Sequence, residues 1–151
     1  MSVKVAVRVR PFNQREKELK CECIVEMQDP TTRLKAFKGE AQKDFTFDYS
    51  FWSFDQFETG GDGYMKPTSS GKYADQQKVY NAVGKNVLDN AWQGYHCCLF
   101  AYGQTGSGKS YSMIGYGANK GIVPITLNEI FTRITANKGK DMEYEVNASM
   151  L

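Results

Sequence analysis

The sequence, 151 residues long, is poor in several things, and each shortage argues against a class of protein. It has one histidine, His96, and four cysteines, Cys21, Cys23, Cys97 and Cys98, at spacings unlike those of a tetrahedral metal site, which argues against zinc. The cysteines therefore read as reduced thiols, two of them in the core. No apolar run approaches the length of a membrane span, and the N-terminus places Lys4, Arg8 and Arg10 among alternating valines, with no signal-peptide core. A cytoplasmic chain with no direct membrane contact is the expectation, and in that setting the sequon at Asn147-Ala148-Ser149 reads as coincidence. A net charge of +2 singles out no polyanionic partner. There is no internal repeat and no G-x-G-x-x-G run of the dinucleotide-binding kind. The length suits one domain with a real core, and nothing in the composition suggests two.

What is present centres on Gly103-Gln104-Thr105-Gly106-Ser107-Gly108-Lys109-Ser110, which fits G-x-x-x-x-G-K-[S/T], the phosphate-binding loop. Polyphosphate is a compact multiple anion, best held by a nest of backbone N–H groups at a helix N-terminus, where the helix dipole also favours negative charge. Glycines at 103, 106 and 108 permit that path, since they reach positive φ and carry no Cβ to hold the backbone away. Lys109 is placed to meet the β- and γ-phosphates, and the Ser110 hydroxyl to ligate Mg²⁺. The pattern asks for a strand before the loop and a helix after it. Residues 96–102 read as a parallel strand buried on both faces, and Tyr111-Ser112-Met113-Ile114 as the first turns of a helix.

Along the rest of the chain, Val3, Val5, Val7 and Val9 alternate with other residues as a strand that Pro11 ends, and charged residues 13–20 suggest a short exposed helix. Segments 22–28, 32–38 and 44–49, separated by Asp29-Pro30 and Gly39, read as a small antiparallel lobe. The aromatic block from Phe45 to Phe57 carries acidic neighbours where single-stranded nucleic acid would need Lys or Arg, so it reads as core packing, with no nucleic-acid partner. Residues 59–72 are rich in glycine and proline and read as a surface loop. A helix is expected from Asp75 to Gly94, with Val79, Tyr80, Val83, Val87, Leu88, Ala91 and Trp92 on one apolar face. Glycines 115, 117 and 121 mark a loop. Pro124 opens a second helix with Ile130, Phe131 and Ile134 inward, 137–141 forms a turn, and Tyr144, Val146, Ala148 and Met150 alternate as a last strand. This order is that of an α/β sheet with helices packed on it.

The loop fixes a ligand class and little else, because many kinds of enzyme share it. A guanine-reading Asn-Lys-x-Asp run is missing, since in Asn137-Lys138-Gly139-Lys140-Asp141 the aspartate stands one place late. The wider context resembles the kinesin motor domain. Residues 100–113, containing Ala-Tyr-Gly-Gln-Thr and a trailing Met, look like the kinesin P-loop, and Arg8-Val9-Arg10-Pro11 looks like its Arg-x-Arg-Pro motif. Residues 47–53 and Gly121-Ile122-Val123-Pro124 also fall where a kinesin has them, most like the kinesin-3 branch. The resemblance implies an α/β P-loop NTPase fold of the kinesin motor type, ATP or ADP with Mg²⁺ as ligands, and microtubules as partner. It also implies an adenine site made by Arg8, Arg10 and Pro11 on one side and Tyr111 on the other. The switch I Ser-Ser-Arg-Ser-His and switch II Asp-Leu-Ala-Gly motifs do not occur in these residues, nor do the main microtubule-binding elements. The expectation is therefore the incomplete N-terminal part of a motor domain, 1–151, not catalytically competent alone. Two alternatives stay open, a non-catalytic module that binds nucleotide or tubulin and an unrelated P-loop ATPase or kinase.

Overall fold

A computed structural model of the chain describes residues 3–137, 139 and 143–149. The valine alternation becomes strand β1, Ala6–Val9, which pairs in parallel with β5, Tyr49–Trp52, in the register Ala6↔Tyr49 to Val9↔Trp52. Between them stand a short helix α1, Gln14–Glu18, and three strands, β2 Val25–Gln28, β3 Thr31–Leu34 and β4 Lys43–Thr46. These three make the expected antiparallel lobe, in the order β2-β3-β4. Its join to the parallel pair is polar and buried, because the Thr32 and Ser50 hydroxyls lie 2.9 Å apart. Within the aromatic block Phe51 and Trp52 are buried, whereas Phe45 lies on the exposed strand β4.

Residues 59–72 are not an irregular loop. β6, Phe57–Thr59, and β7, Met65–Pro67, form a hairpin. Hydrophobic periodicity could not signal it, since the hairpin is fixed from a distance: Asn119 accepts from the Met65 N–H at 2.9 Å and donates to the Gly63 carbonyl at 2.9 Å.

Helix α2, Gln76–Val79, begins at Asp75, whose carboxylate caps the Lys78 N–H at 2.7 Å. It runs through a π-helical turn, Tyr80–Gly84, into α3, Lys85–Trp92, and Gly94 ends the run in the left-handed region at φ 89°. At Gly84 the chain passes close to the start of α5, Ile122–Ala136, for a Cβ there would stand 2.6 Å from the Tyr80 ring and 2.9 Å from Ile122. The core lies between β5 and these helices: Phe51, Ala74, Val79, Tyr80 and Ile122, with Tyr49, Val83, Leu99 and Ile125 packed against it. The far end of the expected apolar face is exposed. Trp92 stacks instead on Tyr144, 5.6 Å between centroids.

The expected strand at 96–102 is absent. The segment runs without ladder hydrogen bonds, Phe100 and Tyr102 are 86% and 102% exposed, and Cys97 and Cys98 are exposed instead of in the core. A central parallel strand is buried only when strands flank it, and among the described residues the one parallel pair is β1–β5.

The helix expected over Tyr111–Ile114 is the short α4, Lys109–Met113, which begins inside the phosphate-loop motif and ends one residue before Ile114. The glycine-marked loop that follows is a small hairpin of β8, Gly115–Tyr116, and β9, Asn119–Lys120. α5 starts two residues before Pro124, which sits in its first turn; Ile130 and Ile134 are half-buried and Phe131 is exposed. Residues 143–149 form no strand, as no neighbour pairs with them; Lys138, Lys140, Asp141 and Met150 of the expected turn and strand lie outside the described residues. No helix among the described residues is long and apolar enough to cross a membrane.

Candidate nucleotide site

Residues 103–108 wrap ahead of α4, with positive φ at Gly103, Gly106 and Gly108. Gly103 is also a point of close approach, since a Cβ there would stand 2.5 Å from the Ser107 hydroxyl oxygen. Gly108 hands the chain into the helix at φ 96°, and the first-turn amides of α4 have no partner within the helix. Lys109 begins α4, and its ammonium stands inside the loop, donating to the Gly103 carbonyl at 2.7 Å and the Gln104 carbonyl at 2.9 Å. Ser110 follows on the exposed side.

The end of β1 reaches the same place from across the sheet. Arg8 turns inward and donates to Ser53 Oγ at 2.9 Å, Gln76 Oε1 at 2.7 Å, Ser112 Oγ at 3.0 Å and the Ala74 carbonyl at 3.2 Å. Burial pushes the Arg8 guanidinium down from its ordinary pKa. Its hydrogen-bonding partners are all neutral, and the ring of Tyr111 lies 5.2 Å from its charge centre. Arg10 turns the other way, donating to the Gly106 carbonyl at 2.7 Å, to the Pro11 carbonyl at 2.6 Å and through both terminal nitrogens to Glu16 at 2.7 Å. Arg10 holds the Glu16 carboxyl far below the usual range, down to about 2, helped by the Asn13 amide.

Of the residues singled out in the sequence, Arg8, Arg10, Pro11, Ser107, Gly108, Lys109 and Tyr111 line one cavity of about 350 Å³. Gln104, Thr105 and Ser110 stand on the exposed side of the loop. The structure adds residues that sequence reasoning passed over. Gln76, 2% exposed, receives Arg8 and donates to the Tyr111 carbonyl at 2.7 Å and the Asn119 carbonyl at 3.1 Å. Ser53 relays Arg8 to the Ala74 carbonyl. No sequence signal pointed to these two. Glu16 had one, because Asn13-Gln14-Arg15-Glu16 carries a capping box in which Asn13 caps the Glu16 N–H at 2.8 Å and Glu16 caps the Asn13 N–H at 2.7 Å.

Residues 8–151 match the family described as the kinesin motor domain. The chain belongs to that family. Kinesin-like protein KIF28 of Rattus norvegicus is 49% identical over 152 residues, spanning 99% of this chain and 15% of that protein. Kinesin-like protein KIF1B of Rattus norvegicus, of the kinesin-3 branch, is 44% identical over 154 residues, spanning 99% of this chain and 8% of the other. Among solved structures, a KIF14 fragment with ADP in complex with a microtubule superposes with a TM-score of 0.78 at 38% identity, covering 93% of this chain and 36% of that one. This kinesin chain therefore has the P-loop NTPase fold of the motor domain, in part, and it spans about 15% of the length of the KIF28 relative.

Proposed function

We propose that this kinesin chain holds the nucleotide of a microtubule motor, whose whole activity is ATP hydrolysis coupled to movement along the track. The observation that carries the reading is the loop itself: glycines with positive φ at 103, 106 and 108 deliver Lys109 to the first position of α4, beside a cavity that Pro11 and Tyr111 also line. The donor set fits a polyphosphate. It offers helix-start amides, the Lys109 ammonium and the Ser110 hydroxyl, and residues 103–110 contain no carboxylate to repel an anion. Lys109 supplies the point charge for the β- and γ-phosphates, and Ser110 the hydroxyl for a magnesium ion. Pro11 and Tyr111 suit a purine by stacking, which is indifferent to its edge groups. Bound Mg²⁺ would neutralise developing charge on the phosphates; Lys109 and the loop amides orient them. The KIF14 structures hold ADP or AMP-PNP on microtubules, which supports nucleotide and tubulin as ligands here, at a cytoskeletal location.

Titration with a fluorescent ADP analogue in the presence of Mg²⁺ tests this reading. Lys109→Ala removes a charge-assisted contact of about 1.5–3 kcal/mol and should weaken binding about ten- to a hundredfold. Equal affinity in the folded variant would remove the assignment.

A further inference from the structure

The phosphate loop must hold one shape although its glycines relax the steric limits on the backbone, so its restraint has to come from hydrogen bonds. The peptide between Gly106 and Ser107 is held at both ends: the Ser107 N–H donates to the Gln104 carbonyl at 3.1 Å, and the Gly106 carbonyl accepts from Arg10 Nε at 2.7 Å. The second bond has an electrostatic effect as well. A carbonyl dipole turned toward a polyanion repels it, and the guanidinium keeps this oxygen engaged elsewhere. Arg10 is itself aimed by a forked contact with Glu16, Nη1 to Oε2 and Nη2 to Oε1, both at 2.7 Å, which fixes the plane of the guanidinium.

We propose that Glu16 is a positioning residue for nucleotide binding: it orients Arg10, and Arg10 sets the Gly106 carbonyl of the phosphate loop. The inference rests on the P-loop reading above. It gives the charged stretch 13–20 a role beyond a solvated surface, because α1 becomes the abutment from which the loop is held. The competing structural role for Glu16 is helix capping alone, and the two roles separate by substitution. A glutamine side chain still accepts from the Asn13 N–H, as capping boxes allow, but it loses the charge and the two-oxygen fork that Arg10 needs. Asn13→Ala does the reverse, removing the cap on the Glu16 N–H while leaving the carboxylate for Arg10.

The experiment is titration of the whole chain with a fluorescent ADP analogue and Mg²⁺, alongside Lys109→Ala. Glu16→Gln should weaken binding about five- to tenfold, and Asn13→Ala should stay within about twofold. The double variant Arg10→Gln/Glu16→Gln should bind no worse than Arg10→Gln alone, since both substitutions break one chain of contacts. Arg10→Lys keeps a charge for Glu16 but lacks the Nε donor, so it should also weaken binding, and it serves if Glu16→Gln fails to fold. Wild-type affinity in a folded Glu16→Gln or Arg10→Lys, or equal losses in Glu16→Gln and Asn13→Ala, would overturn the positioning role. If instead the unsubstituted chain bound no ADP, or bound it independently of Lys109, the P-loop reading itself would fall.

Discussion

The guanidinium of Arg8 lies over the ring of Tyr111, with its charge centre 5.2 Å from the ring centroid. Four neutral oxygens bind the same guanidinium, which fixes Arg8 as the tie between β1, Ser53 just after β5, α2 and α4. One face of Tyr111 is thereby occupied by Arg8, and the Tyr111 hydroxyl points to the Met65 sulfur at 3.9 Å.

A purine held by Tyr111 would use the ring and not the hydroxyl. Tyr111→Ala should weaken ATP and GTP binding by similar factors, about five- to thirtyfold for a lost stack of roughly 1–2 kcal/mol, whereas Tyr111→Phe should stay within about twofold. Competition titrations with both nucleotides check this. Loss of ATP affinity with GTP affinity retained would mean that Tyr111 reads the purine edge.

The contact between Arg10 and Glu16 sets a pH window. The folded-state pKa of Glu16 is lowered from 4.5 to about 2, so the contact adds stability above the unfolded value, and that stability fades as pH falls from about 4.5 towards 2. A carboxyl-carbon NMR titration should find Glu16 still ionised at pH 3.5. An ordinary midpoint near 4.5 would mean that the forked contact does not form in solution.

Gln76 is buried and serves three neighbours at once, the Arg8 guanidinium and the carbonyls of Tyr111 and Asn119. Gln76→Leu fills a similar volume but strands those groups, at about 1–3 kcal/mol for each one left without a partner. Urea denaturation should show a loss of at least about 2 kcal/mol. A change under about 0.5 kcal/mol would mean that water or another side chain takes over the network.

How much of this was legible in the sequence follows from the range of the forces involved. Local rules sufficed for the valine strand, for Asp75 as a helix cap and for the loop glycines, because a period, a cap and a positive φ are each set within a few residues. The hairpin at 57–67 escaped because Asn119, more than fifty residues on, holds it by side-chain hydrogen bonds. Residues 96–102 have the composition of a central strand, but composition states only a preference and the neighbours decide whether it is met. At the site, Lys109 and its glycines were legible as a motif. Gln76 and Ser53 were not, since a buried polar side chain is distinguished from an exposed one only by what folds over it.

Amide NMR shows whether residues 103–110 hold the phosphates of a nucleotide. Adding ADP and Mg²⁺ to the isotope-labelled chain should shift the backbone amides from Gly103 to Ser110 most strongly, and in Lys109→Ala the same shifts should need about ten to a hundred times more ADP. Saturable ADP binding with its largest shifts elsewhere, and residues 103–110 unmoved, would place the nucleotide outside the loop.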